Sequence, residues 1–192
     1  MDDERQLISE SQRGDLDAFN TLVERHQGQV YNLALRMLGD GDLAADAAQE
    51  TFISAHRAIK GFRGGNFRSW LLRIATNACL DLMRAAKARR SISLDALELT
   101  PESVPLSREE SPDSYAIRRE LGQAIQRGLE ALSHHHRLAV VLIDIQGFTY
   151  QEAARIMGCS EGTVKSRLSR ARAELREAMQ QHAELLPDQF RL

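Results

Sequence analysis

Cysteine, proline and long apolar runs are scarce in this chain of 192 residues, and each scarcity excludes a class of protein. The two cysteines, Cys79 and Cys159, stand apart without a CxxC pair, so no disulfide framework is indicated. The longest apolar run, residues 138–145, is interrupted by Asp144 and is far shorter than the roughly 18 residues of a membrane-spanning helix. No apolar segment follows a basic N-terminal start. We therefore expect a soluble, cytoplasmic protein without membrane insertion.

Patterns that carry catalysis or cofactor binding are also missing. The sequence contains no glycine-rich phosphate loop and no nucleophile–base pair, and its scattered carboxylates form no paired catalytic site. Three consecutive histidines, residues 134–136, raise the possibility of a metal site. However, consecutive helical residues point in different directions, and a helix start after Ser133 explains them better. Cys79 and Cys159 fit plain packing better than redox sensing. We expect no enzyme, no cofactor and no metal.

Charge is unevenly distributed, although the formal net charge is only −2. Residues 1–50 hold eleven acidic and four basic residues, whereas residues 57–90 hold nine basic residues and one acid. Residues 151–176 hold six basic residues and three acids. Basic stripes mark nucleic-acid-binding surfaces better than total charge does. The second and third segments therefore predict two separate surfaces for a polyanion.

Proline and glycine divide the chain into helical segments. Three of the four prolines fall in residues 91–114, which are rich in serine and acids and lack helical periodicity, so a flexible linker is expected there. Elsewhere apolar residues recur at intervals of three and four, and no segment alternates as a strand does. Glycines separate predicted helices at about 19–37, 43–60 and 67–88. We expect an all-α protein with domains at 1–90 and 115–192.

A helix-turn-helix is predicted over residues 149–175. Thr149 and Glu152 have the spacing of a capping box, which places a helix start at Tyr150, and Gly158 is suited to end that helix in a left-handed conformation. Ser160 is suited to cap the next helix. That second helix has an apolar stripe of Val164, Leu168, Ala171 and Leu175, and a cationic opposite face. An ordinary charged helical hairpin is the alternative. However, the helix caps, the glycine in the turn, the apolar stripe and the cationic face all favour a DNA-binding motif.

These motifs resemble those of bacterial sigma factors of the extracytoplasmic-function (ECF) type. Residues 148–154 (FTYQEAA) and 162–172 (GTVKSRLSRAR) resemble sigma region 4. Residues 46–52 (DAAQETF) and 62–77 (FRGGNFRSWLLRIATN) resemble sigma region 2. The resemblance implies two helical domains that bind core RNA polymerase and promoter DNA, and a monomer within the holoenzyme. An anti-sigma factor is a further expected partner.

The second predicted helix is expected to present a polymerase-binding face. Ala44, Ala47, Thr51 and Ala55 would pack inward, and an apolar residue among outward charges suits a protein interface. A solvated face supported by charge pairs is the alternative. The resemblance favours polymerase, and the implied contact residues are Asp46, Gln49, Glu50, Ile53 and Arg57.

The glycine-rich loop after this helix is expected to bind the melted minus-ten element. Aromatic and basic side chains together suit single-stranded DNA. The resemblance implies that the loop holds a flipped base. The spacing between Phe62 and Trp70 is one residue shorter here than the commonest spacing in the family. The identity of the captured base is therefore left undecided. Phe67 is expected in the core with Leu71, Ile74, Ala78 and Leu82, whereas Phe62 is expected to be functional. The implied minus-ten residues are Phe62, Arg63, Asn66, Trp70, Arg73, Asn77 and Arg84.

The two DNA-binding segments are expected to divide base contacts from phosphate contacts. Asn77 offers an amide to base edges, whereas Arg73, Arg84, Lys87, Arg89 and Arg90 fit phosphates. In the recognition helix, the resemblance implies that Lys165, Ser166, Ser169 and Arg170 contact minus-thirty-five bases or nearby backbone, and that Thr163 and Arg167 contact phosphates. A stand-alone helix-turn-helix regulator and a polymerase-binding decoy remain as alternative functions.

Overall fold

The computed structural model describes residues 2–90 and 112–180, which are almost entirely helical. The elements are, in order, α1 (Asp2–Gln12), α2 (Leu16–Leu38), α3 (Gly41–Ala58), a 3-10 turn (Ile59–Gly61), α4 (Phe67–Arg90), α5 (Pro112–Ala131), α6 (His134–Val140), a π turn (Val141–Ile145), α7 (Tyr150–Met157) and α8 (Glu161–Gln180). They form two compact units, α1 to α4 and α5 to α8. The expected all-α class is confirmed. Of the expected linker, residues 91–111 lie outside the described part, and α5 already begins at Pro112.

The first unit is built around α2, which packs against α1 and α4. The apolar stripe predicted on α2 is buried: Phe19, Leu22, Val30, Leu33, Ala34 and Met37 are all in the core, and Val23 is half-buried. The helix covers 23 residues and begins three residues before Phe19. Helical periodicity in the sequence therefore located this element and its inner face correctly.

The core face of α4 differs from the expected one. Phe67 and Leu71 are buried as predicted, but Ile74, Ala78 and Leu82 are only half-buried. The inner face continues instead through Leu72, Ala75, Thr76 and Cys79. Both stripes have the three-and-four spacing of a helix, so periodicity alone does not choose between them. Packing against α2 places the second of these stripes in the core.

The two cysteines should differ sharply in reactivity. Cys79 is fully buried, and burial raises the pKa of its thiol to about 12, whereas Cys159 is partly exposed. Since the thiolate is the reactive form, iodoacetamide should alkylate Cys159 alone in the native protein and both residues after unfolding in urea. Mass spectrometry of the peptides measures this directly. Rapid native labelling of Cys79 would contradict its burial.

The second unit packs α8 against α5, α6 and α7. Its core contains Leu129, Leu132, Ala139, Val140, Leu168 and Ala171. Arg137 is also buried there, and its guanidinium donates from Nε to the Leu129 carbonyl at 2.7 Å and from Nη2 to the Glu130 carbonyl at 2.7 Å. These carbonyls lie at the C-terminal end of α5, where the helix itself supplies no donor, and the Leu129 carbonyl also accepts from the Leu132 amide at 3.1 Å just beyond the helix. Arg137 therefore joins α6 to the end of α5.

The helix-turn-helix has the predicted caps. The Thr149 side chain accepts from the Glu152 amide, and the Glu152 carboxylate accepts from the Thr149 amide at 3.0 Å. Gly158 ends α7 at φ +62°, in the left-handed region that glycine favours. Ser160 Oγ then accepts from the Thr163 amide at 3.2 Å at the start of α8. The local sequence thus fixes both ends of α7, the turn after it and the start of α8.

Between α6 and α7 the helix widens into a π turn. The Gln146 amide donates to the Val141 carbonyl at 2.9 Å, and the Phe148 amide donates to the Leu142 carbonyl at 3.0 Å. Val141 and Leu142 are buried in this turn, whereas Asp144 and Ile145 are exposed. This widening was not predicted from the sequence. Across the described helices, none is long and apolar enough to cross a membrane.

Candidate nucleic-acid interface

An exposed face of α3 contains all five residues expected to contact polymerase. The buried residues of this helix are Ala44, Ala47, Thr51 and Ala55, as the sequence predicted. The opposite side is exposed and consists of Asp46, Gln49, Glu50, Ile53 and Arg57. Ile53 is 38% exposed and is one of the few large apolar side chains on the surface. An apolar centre ringed by both signs of charge is suited to a protein interface.

The loop between the 3-10 turn and α4 has a shape that depends on two glycines. Gly64 and Gly65 adopt φ of +91° and +96°, which L residues rarely adopt, and nothing lies near the Cβ position of either. Arg63, which precedes them, is exposed. The loop tip therefore consists of backbone and one guanidinium, both accessible to a ligand.

Three aromatic rings form the base of this loop. The Phe62 ring lies 5.6 Å from Phe67 and 5.2 Å from Trp70, centre to centre, and Phe67 and Trp70 are 5.4 Å apart. Phe67 is 2% exposed, which confirms its assignment to the core. Phe62 and Trp70 are half-buried, so each ring has one part packed on the buried Phe67 and another part exposed to solvent. Partly exposed aromatic faces are what a stacking base requires.

Asn66 closes the loop as a helix cap. Its side-chain oxygen accepts from the Ser69 amide at 3.0 Å, and its carbonyl accepts from the Trp70 amide at 3.1 Å. Asn66 is nevertheless exposed at the surface. Asn66, which was expected to contact the minus-ten element, therefore also caps the N-terminus of α4.

The outer face of α4 continues the basic surface away from the loop. Arg73, Asn77 and Arg84 are exposed, as the predicted track requires. The Arg84 guanidinium pairs with the Asp81 carboxylate at 2.8 Å. Because both side chains are largely exposed, this ion pair is weak, and Arg84 can readily exchange Asp81 for another anion. Arg68 differs, because it is half-buried and donates to Gln29 on α2 at 2.8 Å. The side chains of the expected phosphate contacts Lys87, Arg89 and Arg90 lie outside the described part of the structure.

The recognition helix α8 separates its six expected contact residues by exposure. Lys165, Ser166, Ser169 and Arg170 are exposed, whereas Thr163 and Arg167 are half-buried at the edge of the helix. Arg167 donates to the Cys159 sulfur in the turn at 3.7 Å. The four exposed residues lie opposite the buried Val164, Leu168 and Ala171. This geometry can present one row of side chains to a groove.

Two contacts beside α8 were not found from the sequence. Lys165 Nζ lies 5.4 Å from the centre of the Tyr150 ring, a cation–π geometry, and Tyr150 is 37% exposed at the start of α7. Arg172 donates from both Nε and Nη2 to the Asp144 carboxylate, and this pairing raises the pKa of Arg172. An aromatic residue directly after a helix-turn-helix cap would have been a signal for Tyr150. Asp144 and Arg172 are 28 positions apart in the sequence, so no local pattern indicates their pairing.

The three histidines lie at the start of α6, as expected. Ser133 caps this helix, with its side chain accepting from the His136 amide. His136 Nδ1 is 3.1 Å from the Glu174 carboxylate, while desolvation and the neighbouring His134, Arg167 and His136 lower the pKa of His135. Within residues 2–90 and 112–180, no group of three His, Cys, Asp or Glu residues is arranged to hold a metal ion.

Comparison with known families identifies both units. The model of sigma-70 region 2 matches residues 22–89, and that of sigma-70 region 4 matches residues 122–175. The first match covers α3, the glycine loop and nearly all of α4. The second covers the helix-turn-helix.

Similar proteins agree with these matches. The ECF RNA polymerase sigma-E factor of Salmonella typhimurium is 37% identical over 179 residues, which are 91% of this chain and 93% of the relative. The ECF RNA polymerase sigma factor SigE of Mycolicibacterium smegmatis is 36% identical over 168 residues, which are 88% of this chain and 64% of the longer relative. Among solved structures, the sigma factor RpoE of Bartonella quintana, in complex with the anti-sigma factor NepR, has a TM-score of 0.70 and 28% identity, covering 84% of this chain and 96% of that one. The chain belongs to the extracytoplasmic-function group of the sigma-70 family of RNA polymerase sigma factors.

Proposed function

We propose that this sigma factor binds core RNA polymerase through the exposed face of α3 and directs it to a two-part promoter. The observation that carries the proposal is the presence of two different DNA-binding geometries on separate helical units. One is a glycine loop over partly exposed aromatic rings, and the other is a helix-turn-helix with an exposed polar row. The first suits single-stranded DNA and the second suits a major groove. A stand-alone helix-turn-helix regulator would need only the second.

The first unit would read and melt the minus-ten element. The tip residue Arg63 and the rings of Phe62 and Trp70 would hold an unstacked base, while Arg73 and Asn77 continue the path along α4. Binding energy gained only after strand separation would favour opening. Arg84 would exchange its exposed partner Asp81 for a phosphate, a change that costs little. Polymerase carries out the chemistry, and we propose no catalytic activity for this chain itself.

The second unit would read the minus-thirty-five element. The exposed Lys165, Ser166, Ser169 and Arg170 would contact base edges or nearby backbone, and the half-buried Thr163 and Arg167 would contact phosphates at the groove edge. We propose boundaries of 1–90 and 115–192 for the two functional domains. The Bartonella relative was solved with an anti-sigma factor, and we expect the same class of protein to control this chain in the cytoplasm.

Transcription with purified components tests the proposal. The protein and core polymerase together should give promoter-dependent transcripts, and thymines of the minus-ten region should become reactive to permanganate. Neither component alone should do so. Specific operator binding without core polymerase would indicate a regulator instead, and core binding without strand opening would indicate a decoy.

Replacing Arg170 with alanine should relax minus-thirty-five specificity. An arginine or lysine that bonds a guanine contributes about 1–3 kcal/mol of discrimination, which is lost when the side chain is removed. Transcription from the matched promoter should therefore fall while transcription from a promoter altered at one minus-thirty-five base pair changes little. The measurement is the ratio of transcripts from the two templates in one reaction.

Arg167 provides the matched comparison. As a phosphate contact it should lower transcription from both templates alike when changed to alanine, and reduce the salt dependence of binding by about one unit of slope. Equal losses on both templates for Arg170→Ala would show that Arg170 contacts backbone and not a base.

A further inference from the structure

Helix α1 makes a long-range contact with the base of the glycine loop. Gln12, the last residue of α1, donates from its side-chain amide to the Ile59 carbonyl at 3.0 Å and to the Phe62 carbonyl at 2.7 Å. These acceptors lie 47 and 50 residues further along the chain and are at the two ends of the 3-10 turn. One side chain thus fixes the path of the backbone from α3 into the loop.

Helix α1 is itself held firmly on the first unit. Asp3 of α1 pairs with Arg25 of α2, and the Glu4 carboxylate lies 2.9 Å from Nε2 of His26 on α2. His26 is 7% exposed, and its ring is 5.4 Å from that of Phe67. Ile8 of α1 is buried as well. The amide of Gln12 is therefore presented from a rigid support and not from a loose terminus.

The position of the Phe62 carbonyl controls the parts of the loop that face solvent. Phe62 contributes its ring to the aromatic cluster, and Arg63 and the two left-handed glycines follow directly. At the far end Asn66 is fixed as the cap of α4. With Gln12 at one end and Asn66 at the other, the loop has two anchored ends and an exposed tip. Preorganised binding groups lose less entropy on binding a ligand than mobile ones.

We propose that Gln12 is a positioning residue for capture of the minus-ten strand. It does not touch DNA; it acts by holding the Phe62 end of the loop. The inference rests on the proposed function of the loop and adds a residue from outside both segments matched to the sigma-70 family.

Three variants of the full-length protein test the proposal in the holoenzyme. Gln12→Leu removes the donor at nearly constant volume, and Gln12→Lys keeps a donor that can serve two carbonyls. Gln6→Leu is the matched control, because Gln6 is exposed on the same helix and bonds only locally to Glu10 at 2.9 Å. The probe is the fluorescent non-template strand of a promoter that gives transcripts with wild-type protein. Binding of this strand and affinity for core polymerase are measured separately.

Gln12→Leu should weaken strand binding by about five- to tenfold, the range expected when one or two hydrogen bonds of ordinary strength are lost. Affinity for core polymerase should stay unchanged, and Gln12→Lys should restore most of the strand binding. Wild-type strand binding by Gln12→Leu, an equal loss for Gln6→Leu, a parallel loss of core affinity or no rescue by lysine would each overturn the inference. Failure of the wild-type holoenzyme to bind the strand would instead overturn the proposed function of the loop, and this inference with it.

Discussion

Substitution of Ile53 by glutamate should weaken binding of this sigma factor to core RNA polymerase by about 100-fold or more. Ile53 is the apolar centre of the proposed polymerase face, surrounded by Asp46, Gln49, Glu50 and Arg57. Contacts at the centre of an interface contribute most because water is excluded there, and a carboxylate placed at that point would be buried without a partner. The effect is measured by the concentration of unlabelled variant that displaces labelled wild-type protein from core polymerase.

The fold should tolerate this change, since Ile53 is exposed in the free protein. Ala58→Glu is the matched control, because Ala58 is also exposed and lies on a different face of α3. Each helical residue turns by about 100°, so Ala58 is about 140° away from Ile53 around the helix axis. It introduces the same charge outside the proposed face. Equal losses for the two variants would mean that added negative charge, and not the Ile53 position, is responsible. Unchanged binding by Ile53→Glu would remove α3 from the interface.

Replacement of Arg137 by methionine should destabilise the second unit by about 2–4 kcal/mol. Methionine is of similar length but cannot donate, so the carbonyls of Leu129 and Glu130 would lose their guanidinium partner in a buried position. Burial partly desolvates the Arg137 charge and so lowers its pKa, but a guanidinium in a protein stays charged at neutral pH. The loss of hydrogen bonds should therefore exceed the gain from removing the charge.

Two optical signals distinguish the units in this experiment. Trp70 is the single tryptophan and lies in the first unit, so its fluorescence reports on α1 to α4, whereas circular dichroism reports on all helices. We expect Arg137→Met to lower the urea midpoint seen by circular dichroism. Arg176→Met removes an exposed arginine from the same unit and should have little effect. A midpoint for Arg137→Met equal to that of Arg176→Met would show that the buried bonds contribute nothing measurable.

Local patterns in the sequence were sufficient for much of the fold. The ends of α7 and the start of α8 follow from a capping box, a glycine and a serine, all within a few residues of each other. The inner and outer faces of α3 follow equally well, because its buried positions are alanines and a threonine while charges cover the rest. Interactions of this range require no knowledge of the tertiary structure.

Features that depend on distant contacts were missed. Helix α1 is polar on average, and it becomes a defined element because its few apolar residues and two acidic side chains meet α2. The core face of α4 was only partly predicted for the same reason: its exposed track was located, but of two overlapping inner stripes packing selected the one containing Cys79. The contacts of Gln12 with the loop span 47 and 50 residues, so no local pattern indicates them.

The π turn at Val141–Ile145 determines how the fold responds to a change in the number of residues between α6 and α7. A turn closed by a bond from Gln146 back to Val141 contains about one residue more than an α-helical turn. Deleting one residue within it would remove this extra residue and let an ordinary α-helical turn form, and the following residues would keep nearly the same orientation about the helix axis. Inserting a further residue would instead rotate every following residue by about 100°. An insertion before Asp144 would then move Asp144 away from Arg172 and Phe148 out of the core. In this segment a deletion of one residue should therefore be tolerated more readily than an insertion of one.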